Sequence, residues 1–115
     1  RIGWDCQAVY EWAKHVGTVG RARDHGVNPT AVAEGPNAPN ASTLDAMLLR
    51  TVDELYRNTI LSDETWTALT NHYDLVKAMS AVYTPSSYRA TSMSLNTYGV
   101  QLEDGDEEFP DVPLR

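Results

Sequence analysis

The chain has 115 residues, 42% of them hydrophobic, and a formal net charge of −7. That is the size of one domain with one core. No apolar run approaches the ~20 residues of a membrane span, and the acidic balance leaves no basic stripe for nucleic acid, so neither a membrane nor nucleic acid is an expected partner.

One cysteine cannot make an internal disulfide, and no charged-then-apolar leader opens the sequence. A cytoplasmic location is the expectation. The charge is uneven. Residues 101–115 hold six of the 16 acids and one base, Arg115, leaving ten acids and eight bases in the first 100. The chain therefore divides into a helical domain over 1–100 and an acidic, Pro-containing tail over 101–115. The tail is expected to be extended or disordered and solvated. Docking of Phe109, Val112 and Leu114 on a neighbouring subunit is the alternative.

In chain order, residues 1–25 read as one long helix. Trp4, Ala8, Glu11 and His15 form a stripe, and Ile2, Val9, Val16 and Val19 form a second apolar face. Gly26 suits the C′ position. No Ser, Thr, Asp or Asn precedes Ile2 as an N-cap, so Arg1 reads as mid-helix and a further segment, or another chain, is expected ahead of it. Asn28-Pro29 opens a short helix that ends at Gly35, and a loop follows to Ala41.

Ser42 to Asp45 resembles a capping box. Beyond it, Leu44, Met47, Leu48, Val52, Leu55 and Tyr56 form an apolar helix face, with Asp45, Arg50, Asp53, Glu54 and Arg57 on the other side. Ser62 caps the next helix, whose Trp66, Leu69 and Tyr73 are expected inside. Asp74 caps a last helix carrying Leu75, Val76, Met79, Val82 and Tyr83. Pro85 predicts a break or kink near 84–87, and Gly99 ends the helix. No strand and no repeat is expected, so the fold class is all-α.

The chemistry centres on Tyr10-Glu11-Trp12-Ala13-Lys14-His15. Glu11 and His15 are four apart, on one helix face and within hydrogen-bond reach. A carboxylate beside an imidazole is the simplest acid–base device in a protein. The same spacing also makes an ordinary surface ion pair worth ~0.3–0.5 kcal/mol. Tyr10 and Trp12 are candidate pocket walls, although adjacent helix positions diverge by ~100° and cannot all face one pocket. Tyr88, just after Pro85, is a candidate pocket hydroxyl; its alternative is core or interface. His25 reads as a helix-end cation and His72 as structural. Three scattered His and one Cys lack zinc-like spacing, so no metal site is expected.

Tyr-Glu-Trp-x-x-His, then Val52-Asp53-Glu54-Leu55, Leu61-Ser62-Asp63-x-x-Trp66 and Leu95-Asn96-x-x-Gly99-Val100-Gln101-Leu102, resemble the carboxymuconolactone decarboxylase-like family of the alkyl hydroperoxidase D-like fold. The resemblance covers about residues 1–102. It implies a bundle of about five to six helices, lacking the family's N-terminal helices, that assembles as trimers or hexamers. The peroxidase branch carries Cys-x-x-Cys with a His four positions on. Here Ala8 and Glu11 stand at those cysteine positions, and Cys6 lies two residues off the motif. A dithiol peroxidase needs two thiols, so thiol peroxidase activity is the third alternative, open only if Cys6 pairs with a cysteine from a preceding segment or another subunit.

The decarboxylase branch implies cofactor-free acid–base chemistry on a small carboxylated or lactone substrate: a decarboxylation or a related lyase or isomerase step. On that resemblance His15 returns a proton or donates to an oxyanion, and Glu11 orients it. Tyr10, Trp12 and Tyr88 would bind substrate. The alternative is a non-catalytic oligomeric ligand-binding or assembly protein on the same scaffold.

Overall fold

The computed structural model describes residues 1–17 and 19–114, so Thr18 and Arg115, the one base of the tail, lie outside the described residues. Among these, six α-helices and one 3-10 turn are present and no strand is: α1 Ile2–Asp5, α2 Val9–Val16, the 3-10 turn Ala22–His25, α3 Pro29–Glu34, α4 Thr43–Asn58, α5 Asp63–His72 and α6 Leu75–Tyr98. The all-α expectation holds. None of these helices is long and apolar enough to cross a membrane.

The caps form where the local residues dictate. The Asn28 side chain accepts from the amides of Thr30 and Ala31, with Pro29 following it. Ser42 and Asp45 close a reciprocal capping box. Ser62 and Asp74 accept from the amides three residues on, and Gly99 adopts the left-handed conformation that ends α6.

Three expectations need correction. First, residues 1–25 are not one helix. Gln7 takes a left-handed φ of 50° and its side-chain amide donates to the Trp4 carbonyl at 2.6 Å, which ends α1 and turns the chain into α2. Gly26 still occupies a left-handed terminus, but that of the 3-10 turn. Second, of the break or kink expected at Pro85, the break is absent: α6 runs continuously from Leu75 to Tyr98. The proline removes one backbone donor, yet its ring is buried where α6 packs on α4. Third, Asp53 is not on a solvent face. It is 6% exposed and takes the Arg1 guanidinium on both oxygens, Nε to Oδ1 at 2.6 Å and Nη2 to Oδ2 at 3.2 Å.

Burial is concentrated at one corner. Trp4, Trp12, Val16 and Ala33 are buried together, with Val32, Phe109 and Val112 packed against them. The ring of Phe109 meets Trp4 edge-on at 5.0 Å and Trp12 at 5.6 Å, and the two indoles lie 5.8 Å apart. Phe109 belongs to the tail. Residues 101–114 hold no helix, but the stretch is not simply solvated. Lys14 pairs with Asp106 at 2.9 Å and Glu103 at 3.1 Å, and Arg23 donates to Glu107 at 2.8 Å. The Glu103 amide and the Lys14 ammonium hold the Asp106 carboxyl below its ordinary value, and Arg23 does the same for Glu107. Apolar anchors thus dock the tail on its own chain while its acids meet the bases of α2 and the 3-10 turn.

The opposite side is thinly covered. Leu69 and Ala78 are fully buried, but Trp66 is partly exposed, and Leu75, Val76, Met79 and Tyr83 are largely exposed. The inward placement expected for Trp66 is met only in part.

Candidate functional site

α2 carries the central pair. Glu11 sits in its first turn and is buried, packed by Trp12 and by the close approach of Gly3, where an added Cβ would lie 3.6 Å from Glu11 Cγ. One turn on, His15 is about half exposed. His15 Nδ1 lies 2.9 Å from Glu11 Oε1 and 3.0 Å from the Glu11 carbonyl oxygen. The hydrogen-bond geometry is directed at the carbonyl, so Oε1 lies in contact without a directed hydrogen bond. A carbonyl only accepts, so Nδ1 carries the proton and the neutral ring presents Nε2 as its lone-pair nitrogen. Gly20 holds this end of α2: its amide donates to the Lys14 carbonyl at 2.7 Å, and a Cβ there would collide with the His15 backbone.

α6 supplies the facing group. Tyr88 meets the His15 ring edge-on, with centroids 5.1 Å apart and planes at 88°. Beside them opens a cavity of about 270 Å³ lined by Arg1, Glu11, Trp12, His15, Thr84 and Tyr88, with the remainder mostly aliphatic. That lies just below the ~300 Å³ at which small-molecule pockets begin.

Four of the five residues singled out from sequence therefore share one cavity: Glu11, His15, Trp12 and Tyr88. Tyr10 is not among its walls. It turns to the tail, where its hydroxyl lies 3.4 Å from Glu103 and its ring carries Lys14 Nζ at 5.0 Å. A rotation of ~100° from Glu11 accounts for this. Sequence reasoning missed Thr84 and Arg1. Thr84 is one turn before Tyr88, so the i, i+4 relation could have found it. Arg1 is placed by Asp53, 52 residues away, and no local signal exists for that.

The other candidates lie apart. Cys6 is half-buried, and burial pushes its thiol up, away from the thiolate that peroxidase chemistry needs. His72 meets the ring of Tyr73 edge-on at 4.6 Å beside the α4–α5 groove, and His25 is exposed at the end of the 3-10 turn. Among the described residues, no three His, Cys, Asp or Glu side chains are grouped as metal ligands would be.

Compared with family models, with curated proteins and with solved structures, the chain matches none.

Proposed function

We propose that the α2–α6 cavity is a cofactor-free acid–base site acting on a small carboxylated or lactone substrate, as the resemblance to the carboxymuconolactone decarboxylase-like family implies. The observation that supports this most is the orientation of His15: Nδ1 held by Glu11, Nε2 free, and a tyrosine ring against it at the cavity. In an isomerisation, Nε2 takes a proton beside the lactone carbonyl, the C–H pair moves into the carbonyl, and the imidazolium returns the proton at the far end of the conjugated system. In a decarboxylation, the bond to the departing CO₂ supplies that pair, and a protonated His15 delivers the proton. Tyr88 is the donor best placed for the oxygen that gains charge, and Glu11 offsets the charge that appears on the ring.

The test is CO₂ release from carboxymuconolactone, and isomerisation of the neutral unsaturated lactone α-angelica lactone, by wild type, His15→Ala and Glu11→Gln. Turnover of either compound that falls at least ~100-fold in His15→Ala supports the reading, that being the usual scale of general acid–base catalysis. Turnover unchanged in His15→Ala, or none by folded wild type, contradicts it.

A second reading has its own observation. The cavity walls are largely aliphatic, which suits a protein that holds a ligand without transforming it. Binding without turnover would select it.

Assembly belongs to either reading. Leu75, Met79 and Tyr83 stand four residues apart and exposed on α6, with Val76 beside them. An apolar stripe of this kind suits a second copy, in a trimer or hexamer. The lone free thiol agrees with a cytoplasmic location.

A further inference from the structure

Charge, rather than shape, restricts what the α2–α6 cavity can hold. Arg1 is the only Lys or Arg among its lining residues, and a guanidinium has five N–H groups. Four hydrogen bonds leave it, and Nη2 also keeps an ion-pair contact. Nε donates to Asp53 Oδ1 at 2.6 Å, and Nη1 donates to the carbonyls of Ala33 at 2.6 Å and Val32 at 3.2 Å. Nη2 reaches Asp53 Oδ2 at 3.2 Å and Asp5 Oδ1 at 3.1 Å. Asp5 and Asp53 thus offset two guanidinium groups, because Arg57 Nη2 also lies 3.5 Å from Asp53 Oδ2, and the Arg1 guanidinium lies against Gly35, which has φ +90° and where a Cβ would sit 3.3 Å from its Cζ. The other acid at the cavity, Glu11, is buried beside His15, so that pair is neutral at most. An anion entering here would give up part of its water and meet no surplus of positive charge.

Resting on the acid–base reading above, we infer that the substrate is an uncharged carbonyl compound, a neutral lactone or ester, and not a carboxylate. The reaction of such a compound is the proton shift, and the decarboxylation branch falls away. Exposed bases lie elsewhere, among them Arg50, which lines the α4–α5 groove with His72, and Arg57, which lines a separate pocket beside Asp53. An anion that binds the protein there is distinguished by where it is detected.

Benzamide and benzoate are matched probes, nearly equal in shape and different in charge. Each is titrated into the protein at about pH 8 while the His15 ring protons are followed by NMR, which reads this cavity and not the Arg50 groove. The expected result is a saturable shift with benzamide and at least ~tenfold weaker binding of benzoate, as for a charge desolvated without a partner. In Asp5→Asn, which removes one of the two acids from Arg1, the gap is expected to narrow by about threefold or more. Benzoate binding as tightly as benzamide, or a gap unchanged in Asp5→Asn, overturns the inference while leaving a ligand site at His15. No shift with either probe removes the ligand site itself, and the inference with it.

Discussion

Two sides of this molecule bury their apolar residues by different means. At the α1–α2 corner, Trp4, Trp12 and Phe109 close on one another, and a doubly paired arginine ties Arg1 to α4. Along α6, Leu75, Val76, Met79 and Tyr83 remain in solvent. The corner satisfies itself with segments far apart in sequence. The α6 stripe has no such partner within the described chain. The cavity lies where the corner meets α6, so α2 fixes Glu11 and His15 while α6 brings Tyr88 to them.

The largest effect is expected at the ionic tie. Asp53→Ala strips both oxygens from a buried guanidinium and should cost about 3–5 kcal/mol in chemical denaturation. A cost below ~1 kcal/mol would mean that packing alone holds the corner.

Phe109→Ala is expected next, at about 2–3 kcal/mol for a half-buried ring lost from an aromatic cluster. Limited proteolysis should then cut the tail that wild type protects. Unchanged stability would return the tail to the solvated state that its composition suggests.

Asp5 works in the opposite direction. Burial raises its carboxyl from 3.8 to about 6, against the pull of Arg1, and its Oδ2 has no partner. Below about pH 4 the group is protonated in both folded and unfolded chains. Between there and about 6 the folded chain keeps a proton that the unfolded chain releases, so stability falls as pH rises and the penalty is complete above 6. Asp5→Asn should therefore stabilise the protein by about 1–2 kcal/mol at pH 7.5, allowing for screening. Near pH 3, below both values, it should do nothing. A destabilised Asp5→Asn would show that its charge, rather than its shape, holds Arg1.

On α6 the smallest change is expected. Met79→Ser or Tyr83→Ser should move monomer stability by no more than ~0.5 kcal/mol, while sedimentation reads assembly. A loss of several kcal/mol would place these side chains in a core.

Much of the fold was legible because it is local. The caps at Asn28, Ser42, Ser62 and Asp74 and the stop at Gly99 are each set within three or four residues. Glu11 and His15 were legible for the same reason. What escaped was long-range or conformational. Nothing near Asp53 announces that Arg1 will turn it inward, and nothing near Phe109 announces Trp4. The left-handed Gln7 gives no composition signal. Tyr88 is an instructive case: the sequence points to it through a break at Pro85, α6 is continuous, and Tyr88 reaches the cavity because an unbroken helix carries it past His15.

The account rests on His15 offering Nε2 to the cavity, and ¹⁵N NMR of the two ring nitrogens at about pH 8 tests that directly. The expected spectrum has a protonated Nδ1 and an unprotonated Nε2, with the preference weakened in Glu11→Gln. A ring protonated at Nε2 and bare at Nδ1 would mean that Glu11 does not hold it, and the acid–base reading of the cavity would fail.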